Sequence, residues 1–261
     1  MSLVIHGVPL SQPFRSIVWP CLMKGVPFTI SIATPGDAGK YGTRRLGFLS
    51  KFPLGTVPSI EDNEICLSEA PAILSYLSTR HGWGDVYPKA TSERAKVDEY
   101  LHWHHSNLRS LTRGFFRPIM FPHPLLTSNV IQLHQKEAEH ALKVLEQKYL
   151  STGASKKTHG GFLLGTSNPT AADFMAYEEI VQLEICNLKS FEAYPNIQEW
   201  LKIMKSLPFH DQVHVALTVL GDLTKDSPPV LERAVPASKA GLKAITAALL
   251  QQEQMEPKSK L

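Results

Sequence analysis

Cysteine is scarce in this chain of 261 residues: only Cys21, Cys66 and Cys186 are present, and they stand far apart. No CxxC pair occurs and no second ligand stands at metal-binding spacing, which argues against a disulfide framework and a zinc site and favours a reducing compartment. No apolar run approaches the roughly 20 residues that span a bilayer. The first residues lack the basic start and long apolar core of a secretory signal. The sequence therefore predicts a soluble intracellular protein with no bound metal and no membrane contact.

An excess of charge of either sign is also lacking. Lysine and arginine total 27 against 24 aspartate and glutamate residues, a net charge of +3, which is too weak and too evenly spread to indicate a nucleic-acid partner. Hydrophobic residues make up 43% and charged residues 20%, which places the chain among globular proteins and not among disordered ones. At about 150 residues per domain, the length predicts one large domain or two ordinary ones.

Strand and helix patterns alternate in residues 1–80. A stripe of apolar residues with Pro13 in its first turn predicts an amphipathic helix, and Pro20 inside the stripe predicts a kink or an early end. A second helix is predicted from about Pro71. Four short segments predict strands: Leu3–His6, Phe28–Ile32, Val57–Ile60 and Glu64–Leu67. This order is typical of a thioredoxin-like α/β domain.

Strand patterns disappear after a connector at 81–90, so residues 91–224 are predicted to form an all-α domain. One long helix is predicted through Val97 and Leu111, a second through Ala138 and Tyr149, and a third from the capping box at Thr170–Asp173. Two further helices are predicted at Pro195–Leu207 and His210–Leu220.

The last segment, residues 225–261, has a different character. Prolines in Asp226–Pro229 interrupt regular structure, and Ala237–Met255 predicts a weak amphipathic helix that Pro257 ends. The segment is predicted to be a linker, a short helix and an exposed terminus, isolated from the helical domain by its prolines.

Five motifs resemble those of the cytosolic glutathione transferases, and of the theta class in particular. They resemble, in order, the start of the first helix, the loop before a cis-proline, the γ-glutamyl-binding turn, the fourth helix (plant members especially) and the capping box of the sixth helix: Leu10–Arg15, Phe52–Pro58, Ser68–Leu74, Leu101–Arg109 and Gly165–Asp173. Together they cover residues 1 to about 220. The resemblance implies a glutathione-binding thioredoxin-like domain followed by an all-α substrate domain, with glutathione as co-substrate and no other cofactor.

Ser11 precedes the first predicted helix. Chemistry on a thiol needs the thiolate, and a hydroxyl at a helix N-terminus can donate a hydrogen bond to that anion while the helix dipole adds to the effect. The resemblance implies that Ser11 is the catalytic hydroxyl. From spacing alone, a cap for the helix before Pro13 is the favoured role of Ser11, and the resemblance reverses that preference. Ser16, one turn later, is a weaker hydroxyl candidate.

The resemblance also implies where the glutathione backbone binds. The main chain of Val57, before a cis Pro58, would pair with the cysteinyl residue. The Glu69 carboxylate would hold the γ-glutamyl ammonium, and the helix that starts near Ala70 would receive the γ-glutamyl carboxylate. The structural alternatives are an ordinary proline at a strand start and a glutamate that complements the helix dipole.

Three positions depart from the theta-class pattern, in which a serine usually stands at Ala70, a lysine at Thr56 and often a histidine near Thr43. Each departure removes a partner for a glutathione carboxylate, although Arg44 or Arg45 can replace the missing charge because guanidinium suits carboxylate. We therefore expect weaker glutathione binding within the same fold. The predicted binding set is Ser11, Arg44, Thr56, Val57, Pro58, Glu69 and Ala70.

The substrate pocket is predicted from the long helix and the residues after it. By resemblance, Arg109 lies over the active site and stabilises the charge of the thiolate or leaving group, while Asn107 and Phe115 line the pocket; a solvated arginine and core packing are the alternatives. His102 and His105 stand at metal-binding spacing, but no carboxylate or cysteine completes a ligand set, so packing or polar networks are favoured.

The sequence ends in Ser259, Lys260 and Leu261, a tripeptide that a peroxisomal import receptor reads as an address. The alternative is a chance tail on a cytoplasmic protein. We therefore expect a peroxisomal, homodimeric glutathione transferase whose thiolate attacks organic hydroperoxides or hydrophobic electrophiles. The alternative function is a catalytically weak binding or assembly module with a degenerate glutathione site.

Overall fold

One four-stranded sheet forms the core of the N-terminal domain. The computed structural model describes residues 3–150, 161–225 and 229–255. The strands are β1 (Leu3–Gly7), β2 (Phe28–Ile32), β3 (Ser59–Asp62) and β4 (Ile65–Ser68), in the order β2-β1-β3-β4. β1 is parallel to β2 and antiparallel to β3, and β4 is antiparallel to β3. The predicted thioredoxin-like domain is confirmed, with β3 starting two residues later than its apolar pattern.

Three helices accompany the sheet: α1 (Gln12–Met23), the single turn α2 (Leu46–Leu49) and α3 (Ala70–His81). The predicted early end of α1 at Pro20 is wrong, because the helix continues to Met23. A proline inside a helix costs about 3 kcal/mol. Every residue from Phe14 to Leu22 is buried, and the packing of this helix outweighs the loss of one backbone hydrogen bond.

The remaining helices form the predicted all-α half. They are α4 (Thr91–Ser106), α5 (Arg117–Met120), α6 (Ser128–Val144), α7 (Ala171–Ile185), α8 (Pro195–Lys205), α9 (His210–Leu220) and α10 (Val230–Met255). The central helix is α7, in which every residue from Ala171 to Leu183 is buried. No helix within the described residues is both long and apolar enough to cross a membrane.

The capping box that begins α7 is present as predicted. The Asp173 carboxylate accepts hydrogen bonds from the backbone N–H of Thr170 at 2.8 Å and of Leu163 at 2.7 Å, and from Trp200 Nε1 at 3.0 Å. Complete burial raises the pKa of this carboxyl to about 6, although these hydrogen bonds act in the opposite direction. One side chain therefore joins the start of α7 to the preceding loop and to α8.

The long helix expected through Val97 and Leu111 is interrupted. α4 ends at Ser106, and the side-chain amide of Asn107 donates to the carbonyl of Trp103 at 2.9 Å. A π-helical turn then runs from Thr112 to Phe116. The apolar spacing continues across the break, so periodicity alone could not reveal it.

The C-terminal segment is not an isolated linker with a short helix, and this part of the prediction is wrong. α10 begins at Val230 and packs along α9, burying Ala237 and Ile245 completely. Arg233 fixes its first turn by donating from Nη1 to the carbonyls of Leu220 at 3.2 Å and Asp222 at 2.7 Å. These hydrogen bonds from the charged side chain of Arg233 therefore help to hold α10 against α9, although the apolar pattern of α10 is weak.

Gly241 lies where α10 packs against the turn between β1 and α1. A Cβ atom on this glycine would lie 2.7 Å from Cβ of Ala216 and 2.8 Å from Cβ of Pro9. Both distances are shorter than van der Waals contact, so the position has no space for a side chain. α10 thus rests against the turn that leads to Ser11.

Candidate active site

The turn after β1, the loop before β3 and the start of α3 lie at the same end of the sheet's strands. His6 in β1 lies opposite Ser59 in β3, and Ser59 lies opposite Ser68 in β4. The hydroxyls of the two serines are 2.7 Å apart. Because this row lies at the end of β3 and β4 and one residue before the end of β1, it brings the turn after β1, the loop before β3 and the start of α3 together.

Ser11 lies at the N-terminus of α1 in this arrangement. Its backbone is extended, at φ −81° and ψ 118°, and its N–H donates to the carbonyl of Val8 at 2.9 Å. The hydroxyl accepts no hydrogen bond from the backbone of α1, so Ser11 is not a capping residue in this structure. Its side chain is half-buried at the end of the helix whose dipole favours an anion.

Ser16 is not a hydroxyl of the site. It is fully buried, and its Oγ donates to the carbonyl of Pro13 at 2.8 Å and lies 3.2 Å from the sulfur of Met175 on α7. This side chain joins α1 to the helical half.

The Val57–Pro58 peptide bond is cis, as the resemblance implied. The ladder between β3 and its neighbours begins only at Ser59, so Val57 lies outside it. Residues before a ladder keep backbone groups that an extended peptide can pair with. Val57 therefore lies just before β3, at the end of the sheet where β1 leads to the turn before Ser11.

Glu69 has a backbone conformation that amino acids other than glycine rarely adopt, with φ 72° and ψ 113°. Such conformations cost about 1–3 kcal/mol and cluster at functional sites. The side chain of Glu69 is exposed at the start of α3, where Ala70 is buried as the first helical residue. A cavity of about 480 Å³ opens beside it between α3 and α4, lined in part by His102 and His105.

Arg44 and Thr43 differ in what they face. Thr43 is fully buried and its hydroxyl accepts from the N–H of Gly36 at 3.1 Å, so it stabilises its own loop. Arg44 is exposed, and its Nη1 lies 3.3 Å from the position that a Cβ would take on Gly55. The guanidinium is therefore beside the loop that carries the exposed Thr56.

Arg109 pairs with a buried carboxylate. Its Nη1 donates to Oε1 of Glu179 on α7 at 2.6 Å, and the arginine side chain is 27% exposed. Thr112 in the π-helical turn donates to the other oxygen of Glu179 and accepts from Nε2 of Gln12, next to Ser11, at 2.6 Å. Arg109 is thus linked to the start of α1 through this chain of hydrogen bonds.

Asn107 and Phe115 do not join this chain. The amide of Asn107 turns back onto α4, as described above, and the half-buried ring of Phe115 lies under the ammonium group of Lys189, 5.5 Å from it. Neither contact involves Ser11. The pocket role of these two residues therefore stays a prediction.

The sequence did not predict a buried ionic cluster that contacts the turn before Ser11. Arg15 Nε donates to Oε2 of Glu178 at 2.5 Å, and Oε1 of Glu178 lies 3.1 Å from Nε2 of His214 on α9. Burial alone would raise the pKa of Glu178, but Arg15 and His214 hold it below its usual value. The available signal was a charged pair, Glu178 and Glu179, inside a helix that is otherwise buried and apolar.

Comparison with known families supports the two-domain division. Residues 5–86 match a family model described as the N-terminal domain of glutathione S-transferase, and residues 128–209 match the model for its C-terminal domain. The two matches fall on the sheet-containing half and on the helical half.

Individual members of this family also match most of the chain. Mouse glutathione S-transferase theta-3 is 32% identical over 260 residues, covering 96% of this chain and all of that protein. Glutathione S-transferase T1 of Arabidopsis thaliana is 30% identical, covering 83% of this chain and 89% of that protein. A crystal structure of human glutathione transferase theta-2 in complex with glutathione covers 96% of this chain and 99% of its own, with a TM-score of 0.72 at 23% identity.

Proposed function

Because the chain belongs to the glutathione S-transferase family and is a glutathione transferase, we propose that Ser11 holds the glutathione thiolate for attack on organic hydroperoxides. The observation that carries the proposal is the hydroxyl of Ser11, which lies at a helix N-terminus without capping it. Hydrophobic electrophiles with a reactive carbon are the second substrate class.

Stabilisation of the thiolate is within reach of this arrangement. Lowering a thiol pKa by about two units corresponds to about 2.7 kcal/mol. One charge-assisted hydrogen bond contributes about 1.5–3 kcal/mol, and a helix N-terminus adds about 0.3–1 kcal/mol. The Ser11 hydroxyl and α1 together can therefore supply a shift of this size.

The peroxidase reaction needs no group beyond glutathione itself. The thiolate sulfur attacks one peroxide oxygen, the O–O bond breaks, and the leaving alkoxide takes a proton to become an alcohol. The resulting glutathione sulfenic acid condenses with a second glutathione to give the disulfide and water. Ser11 lowers the barrier of the first step by holding the sulfur as an anion.

The rest of glutathione would be held at the end of the sheet where the turn after β1, the loop before β3 and the start of α3 meet. The backbone of Val57 pairs with the cysteinyl residue, Glu69 takes the γ-glutamyl ammonium, and the N-terminus of α3 at Ala70 receives the γ-glutamyl carboxylate. Arg44, beside the loop of Thr56, supplies a cation for the glycyl carboxylate.

A catalytically weak binding or assembly module is the second candidate, favoured by Thr43, Thr56 and Ala70. We expect the protein to be retained on immobilised glutathione and to reduce cumene hydroperoxide more efficiently than it conjugates an aryl halide. The ratio of the two kcat/KM values is the measurement. Retention without turnover of either substrate would favour the binding module, and preference for the aryl halide would contradict the hydroperoxide class.

We also propose a peroxisomal location, which the terminal tripeptide Ser259, Lys260 and Leu261 supports. These residues lie outside the described part of the chain. Because α10 packs on α9, the test uses residues 256–261 alone. A fluorescent protein carrying this hexapeptide is expected to enter peroxisomes, and the same fusion without Leu261 is expected to stay in the cytoplasm. Diffuse signal from the intact fusion would contradict the peroxisomal address.

We propose that the protein acts as a homodimer, which would present two such tails to the import receptor. Exposed apolar residues at the edge strand β4 and in the loop before β3 support a partner surface; Ile65 is 44% and Leu54 56% exposed. Light scattering during gel filtration gives the mass directly. A particle of 29.0 kDa would contradict the proposal.

A further inference from the structure

The ionic cluster formed by Arg15, Glu178 and His214, which we name the Arg15 cluster, is completely enclosed. Side-chain exposure is 0% for Arg15, 1% for Glu178 and 2% for His214. The three residues come from α1, α7 and α9, so the cluster joins the N-terminal domain to two helices of the other half. Buried ion pairs of this kind contribute little net stability, because desolvation offsets their attraction.

His214 contacts two oxygen atoms in this cluster. Nδ1 of His214 lies 2.6 Å from the carbonyl oxygen of His210, which can only accept, so this nitrogen carries a proton. Nε2 lies 3.1 Å from Oε1 of Glu178, whose other carboxylate oxygen accepts from Arg15. The ring of His210 stacks on His214 with 4.4 Å between the ring centres. Arg15 and His214 therefore hold the carboxylate of Glu178 between them.

The guanidinium of Arg15 also reaches the turn before the catalytic serine. Its Nη1 donates to the carbonyl of Pro9 at 3.0 Å, and its backbone N–H donates to the carbonyl of Ser11 at 3.1 Å. Arg15 thus fixes the chain on both sides of Leu10. On its other side, Pro9 contacts α10 at Gly241.

We propose that Arg15 is a positioning residue for Ser11, held in place by Glu178 and His214. The inference rests on the proposed role of Ser11 as donor to the thiolate. Glu178 fixes the guanidinium through Nε, which leaves Nη1 directed at the Pro9 carbonyl. The carbonyl then fixes the turn, and the turn fixes where the Ser11 hydroxyl meets the sulfur. Misplacement of a reacting group by about 1 Å can cost about 100-fold in rate, so this support matters for turnover.

The test uses a variant that removes the cluster without leaving a buried charge unpaired. Arg15→Ala alone would strand Glu178, at a cost that can unfold the protein. The double variant Arg15→Met with Glu178→Gln keeps the volume and removes both charges. Ser16→Ala is the matched control, because it removes an adjacent contact between α1 and α7 that does not reach Pro9.

Thiolate formation is measured by the ultraviolet absorbance of enzyme-bound glutathione as a function of pH, together with kcat and KM. In the double variant we expect the pKa of bound glutathione to rise toward its free value. We expect kcat to fall about 10-fold while KM for glutathione changes less than about 3-fold. Ser16→Ala is expected to leave the bound-thiol pKa and kcat unchanged, whatever its effect on the unfolding temperature.

Ser11→Ala in the same assay separates the two proposals. If Ser11→Ala raises the bound-thiol pKa and the double variant leaves it unchanged, the positioning role is wrong and the role of Ser11 stands. If Ser11→Ala has no effect on this pKa, the role of Ser11 is wrong and the inference about Arg15 is overturned with it.

Discussion

Replacing Ser11 with alanine is expected to lower kcat by about 10- to 1,000-fold, the range observed when one oriented hydrogen-bond donor to a developing anion is removed. The hydroxyl caps no backbone N–H in α1, so its loss does not weaken the start of the helix. Glutathione affinity should change little, because the proposed contacts of glutathione with Val57, Glu69 and the N-terminus of α3 remain. The effect should appear as a loss of thiolate at neutral pH.

Steady-state kinetics at several pH values measure this effect. Raising the pH should restore part of the lost activity, because free hydroxide then removes the proton that Ser11 no longer helps to displace. Ser16→Ala is the control, since its buried hydroxyl faces Pro13 and Met175. Equal turnover in Ser11→Ala and the parent protein would remove Ser11 from the mechanism.

Replacing Ala70 with serine is expected to tighten glutathione binding by about 10- to 150-fold, which corresponds to one charge-assisted hydrogen bond of about 1.5–3 kcal/mol. Ala70 is the first residue of α3 and is buried. In the proposed binding mode, the backbone N–H of Ala70 faces the γ-glutamyl carboxylate, but Pro71 supplies no N–H. A serine hydroxyl at position 70 would supply the hydrogen-bond donor that Pro71 cannot supply.

Titration calorimetry on the parent and Ala70→Ser measures the change in Kd. Ala90→Ser provides a matched control, because Ala90 also stands at a helix start with no capping side chain and is exposed at α4. It is expected to stabilise α4 without changing glutathione affinity. Unchanged affinity in Ala70→Ser would mean that another side chain already holds the carboxylate.

Local signals in the sequence were sufficient for most of the fold. The bounds of β2 and α9 agree residue for residue with their patterns, and the capping box at Thr170 and Asp173 starts α7 as predicted. These elements depend on apolar periodicity and on hydrogen bonds between residues close in the chain. The interruption after Ser106 and the docking of α10 depend on tertiary contacts, and periodicity contains no information about those.

The candidate site, like the fold, could be predicted only in part from the sequence. Ser11, Val57 and Glu69 follow from motifs at the ends of strands, and the sheet register brings their segments to one edge. Arg15 and Glu178 are separated by 163 positions, so no local spacing could pair them. Arg109 was expected over the active site, and its partner Glu179 was likewise beyond the reach of sequence spacing.

The two consecutive glutamates of α7 make the length of that helix critical. Neighbouring residues in a helix point about 100° apart. Glu178 therefore contacts α1 and α9, whereas Glu179 contacts Arg109 and the π-helical turn. Inserting or deleting one residue between Asp173 and Glu178 would rotate both carboxylates away from their partners at once. The segment of α7 between Asp173 and Glu178 therefore cannot gain or lose a residue without breaking both sets of contacts.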